Sequence, residues 1–179
     1  MNALSCIYLN KFSSSHNLAS SRVEREKWGI FMLTQSDIDL LLNMIKQLKS
    51  NDKIVFPPFG TEIKLDVIST TTKDKFIIDI SRKGYIKINR CTYQTRYQKS
   101  IILLRLDVNG PPHTNPDGEV IPCPHLHIYR EGYESKWAFP LQDKINVQNP
   151  DDLIEILIRF LEYNKISNIP EIEEQMFLF

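Results

Sequence analysis

Glycine is scarce and never clustered: six in 179 residues, each standing alone. No glycine-rich loop is present to wrap a nucleotide's phosphates, which argues against nucleotide-driven work. The three cysteines, Cys6, Cys91 and Cys123, are too few and too dispersed for a disulfide framework. A reducing cytoplasm is the compartment that suits them. No apolar run approaches the ~20 residues of a membrane helix, so no membrane span is expected. The stretch Ala3 to Leu9 is too short and interrupted for a secretory signal. Net charge is absent too, with 22 Lys+Arg against 22 Asp+Glu. No internal repeat stands out, which argues against a solenoid or propeller.

What is present is a globular composition, 42 % hydrophobic and 25 % charged, long enough for one domain with a real core. Residues Met1 to Phe31 differ from the rest, being rich in Ser and Asn and closing on the charged run Arg22 to Lys27. They are expected to form a loosely attached extension, with residues 32–179 making a single α+β domain. The charges are also unevenly spread. Arg82 to Lys136 holds nine Lys/Arg and five Asp/Glu, with tyrosines interleaved, whereas Leu141 to Phe179 holds three and eight. A basic, aromatic middle suits a polyanion; an acidic tail folded back on it would neutralise it instead.

Apolar residues at helical spacing (Ile38, Leu41, Leu42, Ile45, Leu48) predict a helix over Thr34 to Lys49, with Ser36 as N-cap. A second helix is expected over Asp151 to Asn164, and a short helix or ordered tail over Pro170 to Phe179. Between them the pattern turns to strands: Glu62 to Ser69, Phe76 to Ser81, Tyr85 to Asn89, Ser100 to Val108, His125 to Arg130 and Lys136 to Leu141. Tight turns between consecutive strands favour antiparallel pairing. The expected fold is therefore an antiparallel sheet of five to six strands, with an N-terminal and a C-terminal helix packed on one face.

Alternation splits those strands into two faces. Leu104, Leu106, Val108, Leu126 and Ile128 fall on one, while Arg105, Asp107, His125, His127 and Tyr129 fall on the other. The second face gains Lys87 if Ile86 and Ile88 point to the core. The connection from Val108 to Pro124 carries five of the ten prolines and two of the six glycines, with a turn at Asn115-Pro116-Asp117-Gly118. Structureless connections this long are uncommon and often functional. This one brings His113 toward His125 and His127.

Such a set can cleave a phosphodiester without a metal. One imidazole takes a proton from a ribose hydroxyl and a second group returns one to the leaving oxygen. Arginine stabilises the charge growing on phosphorus, and a carboxylate can fix an imidazole's tautomer. On this reading His113, His125, His127, Arg105 and Asp107 are catalytic. Lys87, Arg96, Tyr97, Tyr129, Arg130, Tyr133 and Trp137 bind substrate. A zinc tetrad of Cys123, His125 and His127 with His113 or Asp107 is the competing arrangement. Pro122 and Pro124 interrupt the strand at Cys123, so neither a metal nor another cofactor is expected. No histidine follows His127, which removes the second metal motif of cupins.

Several segments resemble an uncharacterised family of small bacterial and phage proteins, over Thr34 to about Pro170. They are Cys91-Thr92-Tyr93-Gln94-Thr95-Arg96-Tyr97, Leu104-Arg105-Leu106-Asp107, Gly110 to Gly118, Pro124 to Tyr133 and Lys136-Trp137-Ala138. The order Arg96-Tyr97, Arg105-Leu106-Asp107, Pro112-His113 and His125-Leu126-His127 is also similar to that of TumE-type toxins of bacterial toxin–antitoxin pairs. That resemblance implies RNA-directed toxin activity, with RNA as target and an antitoxin as partner. The alternative is a non-enzymatic phage or defence-associated protein that binds a host protein or nucleic acid. In that case Tyr129, Arg130, Tyr133 and Trp137 would be contact anchors. Oligomeric state is not legible in the sequence.

Overall fold

The computed structural model describes residues 33–83 and 89–174. The expected extension Met1 to Phe31, the core of the expected strand Tyr85 to Asn89, and with it Lys87, lie outside the described residues. Asn89 itself stands in a turn.

The first helix, α1 (Gln35–Asn43), starts two residues earlier than Ser36 would allow. The Thr34 hydroxyl accepts from the Asp37 amide at 3.3 Å, and the Asp37 carboxylate accepts from the Thr34 amide at 3.1 Å. This reciprocal box satisfies two orphan donors. Asp39, which would complete a box begun at Ser36, is instead occupied by the Gln35 side-chain amide.

The helix also ends early, because Lys46–Leu48 leaves it to become strand β1 at the sheet edge. Buried Lys46 anchors that exit. Its ammonium donates to the carbonyls of Leu42, Met44 and Asn164. Burial, with Lys165 nearby, pushes it down to about 8.

The remaining strands are β2 (Ile54–Phe56), β3 (Glu62–Ser69), β4 (Lys75–Ser81), β5 (Cys91–Tyr97), β6 (Ile101–Val108), β7 (His113–Thr114), β8 (Val120–Ile121), β9 (His125–Ile128), β10 (Ala138–Pro140) and β11 (Ile172–Glu174). The second helix, α2, spans Leu153–Tyr163. Among the described residues, seven strands form one antiparallel sheet in the order β1-β3-β4-β5-β6-β9-β10. The class is α+β as expected, but the strand count is corrected from five or six to seven. Two additions account for the change: β1, taken from the predicted helix, and β5, whose Cys, Thr, Gln and Arg disguise a strand. Of the expected C-terminal helix or ordered tail, Ile172–Glu174 is a strand paired in parallel with β2, and residues 175–179 lie outside the described ones.

Register sorts the chemistry. One row, Ile80–Tyr93–Leu106–Leu126, runs across β4, β5, β6 and β9, and all four are buried. The amphipathic helix α2 packs onto this side through Ile156, Leu157, Phe160 and Leu161. The Tyr93 hydroxyl donates to the Leu153 carbonyl at 2.7 Å, and the Thr95 hydroxyl to the Asn164 side-chain oxygen at 2.7 Å. The short α1 adds Leu41 to the same core.

The neighbouring rows are polar. Asp79–Gln94–Arg105–His127 and Ser81–Thr92–Asp107–His125 cross the same four strands. Period-two alternation thus places the charged groups on the face away from the core row. Among the described residues, no helix is long and apolar enough to cross a membrane.

Candidate functional site

The connection after β6 contains its own ordered structure. Asn109 adopts φ +56°, and β7 and β8 form a small hairpin closed by the turn at Asn115 to Gly118. Gly118, at φ +91°, takes a backbone conformation that suits a residue without Cβ.

Asn115 attaches this hairpin to the sheet. Its buried side chain accepts from the Ala138 amide at 2.8 Å and donates to the Ala138 carbonyl at 3.0 Å. It therefore acts as a short strand alongside β10. His113 makes a third stitch, with its Nε2 2.9 Å from the Lys136 carbonyl.

The hairpin brings three imidazoles together. Ring centroids are 4.5 Å apart for His113 and His127, 5.0 Å for His125 and His127, and 5.8 Å for His113 and His125. A carbonyl can only accept, so its neighbours fix the tautomers. His127 Nδ1 donates to the Ser135 carbonyl at 3.0 Å, leaving Nε2 to accept from Arg105 Nη2 at 2.8 Å. His113 donates through Nε2, which leaves the lone pair on Nδ1. His125 Nδ1 donates to the Pro122 carbonyl at 3.3 Å, and its Nε2 lies 3.6 Å from Asp107 Oδ2.

Asp107 is the hub. Its Oδ2 lies 3.5 Å from His127 Nε2 and 3.1 Å from Arg105 Nε, while Oδ1 accepts from the Thr92 hydroxyl at 2.9 Å. Burial alone would raise this carboxyl. The His125 ring, the Arg105 guanidinium and the Thr92 hydroxyl together hold it well below the ordinary carboxylate range. Burial, reinforced by Arg105 and His125, pushes His127 below the usual imidazole range despite Asp107.

A cavity of about 420 Å³ opens over this cluster, lined by Arg90, Thr92, Arg105, Asp107, His113 and His125 together with the segment Gly110–Pro112. His113, His125, Arg105 and Asp107 therefore reach one solvent-facing space. His127 does not line it: the ring is 0 % exposed, with both nitrogens engaged. His127, expected among the catalytic residues, is thus buried, with Nε2 against the Arg105 guanidinium.

The expected binding residues separate. Arg96 makes two bonds to Asp79, at 2.6 and 2.7 Å, and a third to the Lys99 carbonyl. Tyr97 faces the core, with its hydroxyl on Asp74. Tyr129, beyond the end of β9, packs partly against the core. Arg130, Tyr133 and Trp137 form a cluster of their own, with Arg130 4.4 Å from the Trp137 ring and Tyr133 edge-on to it at 5.4 Å. Trp137 lies across from Ile128, so this cluster falls on the core side of the β9–β10 ribbon, opposite the histidines. None of these six lines the cavity.

Cys123 stands off the strand, as its flanking prolines predict, accepting from the Gly110 amide and donating to the Asp107 carbonyl. Burial pushes its thiol up, which argues against a thiolate nucleophile or ligand. Three contributors escape the sequence reading. Arg90 and Thr92 follow once β5 is recognised as a strand, because Thr92 then pairs with Asp107. Asn115 reads as a turn residue, and nothing local reveals its tie to Ala138.

A family model described as a family of unknown function (DUF6978) matches residues 33–166. No curated protein and no solved structure matches the chain.

Proposed function

The chain belongs to DUF6978, a family of unknown function, and from its own site we propose that it is an RNA-directed, toxin-like protein of the cytoplasm that cleaves phosphodiester bonds without a metal. The observation that carries this reading is the shared cavity: two arginines and two histidines around one space that can admit a phosphodiester.

Arg90 and Arg105 bind the non-bridging oxygens and stabilise the charge that grows there. His113 Nδ1 takes the proton of the ribose 2′-hydroxyl as that oxygen attacks phosphorus. The bond from phosphorus to the 5′-oxygen breaks, and His125, in its protonated form, gives that oxygen a proton. The products are a 2′,3′-cyclic phosphate and a 5′-hydroxyl, with the two histidines left in exchanged protonation states. Asp107 orients His125 and Arg105, and His127 braces Arg105 from below.

The test is cleavage of labelled single-stranded RNA by the full chain in EDTA. Cyclic-phosphate ends that disappear in His113→Ala and His125→Gln support the reading. Cleavage that survives both substitutions, or that needs added metal, overturns it.

A specific observation favours the second reading, a protein that binds a host protein, an antitoxin or a nucleic acid without catalysis. Tyr133 meets Trp137 edge-on, and from Trp137 onward rings and cations alternate through Arg130, Phe139 and Lys144, with Lys144 4.3 Å and Arg130 5.2 Å from the Phe139 ring. Such a ladder offers stacking surfaces and charge to a partner. Growth arrest on expression that is lost in Tyr133→Ala but kept in His113→Ala would select this reading.

A further inference from the structure

The three groups deepest in the cluster have an arrangement that acid–base chemistry does not need. Both buried imidazoles donate Nδ1–H to a backbone carbonyl, His125 to Pro122 and His127 to Ser135. Both then turn Nε2 toward Asp107, and the three ligand atoms lie within 4.8 Å of one another. Carbonyl bonds of this kind set the tautomer and aim of metal-binding histidines. Thr92 does the same for the carboxylate, holding Oδ1 so that Oδ2 faces the rings. Asp107 Oδ2 is 3.6 Å from one Nε2 and 3.5 Å from the other. Ligand atoms bound at about 2.1 Å around a tetrahedral ion are separated by about 3.4 Å, so both carboxylate-to-imidazole spacings already match, and the two Nε2 atoms, within 4.8 Å of each other, are in reach of the same ion.

The cluster already holds a cation. Arg105 places Nη2 on His127 and Nε on Asp107, bridging two of the three ligand atoms. Its side chain is 32 % exposed at the cavity rim, so it can rotate into the cavity and leave that place to an ion. We propose that Asp107, His125 and His127 form a binding site for a transition-metal dication of the zinc or cobalt type, occupied in exchange for the Arg105 guanidinium.

The ligand set is two imidazoles and one carboxylate, with the fourth position open toward the cavity. It is the tetrad suggested by the sequence, in its Asp107 form, without Cys123, because the thiol is turned to Gly110 and the Asp107 carbonyl. The two imidazole donors select zinc, cobalt or nickel over magnesium or calcium, which prefer all-oxygen sites. The inference does not rest on RNA cleavage. A metal would take Nε2 of His125 and so compete with the acid–base role of that ring.

The experiment is titration of the full chain, stripped of metal and free of RNA, with Co²⁺, read by its visible ligand-field absorption and by the thermal midpoint. One Co²⁺ per chain is expected, with tetrahedral-type absorption and a raised midpoint, since an ion that binds only the folded state stabilises it. His127→Gln should weaken binding by at least about 100-fold, beyond the 10–100-fold typical of losing an outer-shell partner. Cys123→Ser should leave the affinity unchanged.

Arg105→Gln keeps all three ligands and removes the competing cation, so it should tighten binding by about 10-fold, roughly the 1.4 kcal/mol of one decade. Far-ultraviolet circular dichroism of each variant without metal establishes that it is folded. No absorption at saturating Co²⁺, equal affinity in a folded His127→Gln, or weaker binding in Arg105→Gln would each overturn the proposal. Because no RNA enters the experiment, its failure leaves the cleavage reading standing, and the reverse also holds.

Discussion

Asp79–Arg96 and Asp107–Arg105 are two carboxylate–guanidinium pairs on the same face of the sheet, tied in register through the row Asp79–Gln94–Arg105–His127. Their exposure is similar, 19 % and 13 % for the side chains of Arg96 and Asp79 against 32 % and 23 % for Arg105 and Asp107. Their bonding is not. Arg96 forks onto both oxygens of Asp79, so each satisfies the other. Arg105 gives Asp107 a single bond and spends another on His127, while two imidazoles crowd the same carboxylate oxygen. A satisfied pair holds strands together. A carboxylate that serves several donors beneath a cavity holds groups that can be exchanged, and this difference, more than residue type, separates scaffold from site.

Removing each carboxylate's charge should break the comparison most visibly. Asp107→Asn leaves Arg105 facing two imidazoles with little compensation, and breaking such a partly buried network costs about 3 kcal/mol. Asp79→Asn takes the charge from the Arg96 fork but leaves Arg96 the Lys99 carbonyl and leaves an amide oxygen for Gln94, so a smaller loss of about 2 kcal/mol is expected. Urea unfolding of the two variants checks the ratio. Equal losses would show that Asp107 is no more than a second structural pair.

The next effect concerns the hairpin that closes one pair and leaves the other uncovered. Asn115→Ala removes two buried hydrogen bonds and leaves the Ala138 amide and carbonyl unpaired, costing about 2 kcal/mol. Hydrogen exchange at Ala138 should accelerate, while amides of β4 and β5 around Asp79 and Arg96 keep their protection. Faster exchange at both places would mean that the hairpin supports the whole sheet.

The sequence made the Asp107 side legible because its groups lie at period two on strands with apolar partners. Leu104, Leu106 and Leu126 declare the core face, so Arg105, Asp107, His125 and His127 follow onto the other. The Asp79 side was hidden. Without β5 recognised as a strand, Arg96 had no visible partner and could be taken for a substrate contact. The tyrosine beside it pointed to the same error, because Tyr97 is an aromatic whose polar tip reaches Asp74 while its ring packs on Phe76. Depth was illegible too. Alternation puts His127 on one face with His125, and the loop brings His113 near them, but only a tertiary contact, the hairpin tied to Ala138, decides that the His127 ring is covered while His113 and His125 meet the cavity. The early end of α1 has the same origin: Lys46 leaves an otherwise helical stripe because β3 offers a partner strand and three carbonyls await its ammonium.

A smaller effect comes from replacing fork with point charge. Arg96→Lys keeps the sign but loses the planar two-bond geometry. A loss below about 1 kcal/mol is expected, with Co²⁺ affinity and RNA cleavage unchanged. A change in either function would tie Arg96 to the site after all.

The smallest effect is a slope. His127 is held below its ordinary range in the folded protein, so the unfolded chain binds its proton first as pH falls. Under linkage, stability is lost where the unfolded state binds more protons, so it should decline as pH drops through about 6.5, the ordinary value of histidine. Asp107 is held low as well, and its contribution persists until the pH approaches the ordinary aspartate value near 3.9. The decline between pH 7.5 and 5.5 therefore reports chiefly on the imidazole. His127→Gln should flatten that segment of the urea-midpoint profile, and Arg96→Lys should leave it intact. If the slope survives in His127→Gln, the proton goes elsewhere, and the difference between the two pairs does not extend to their titration.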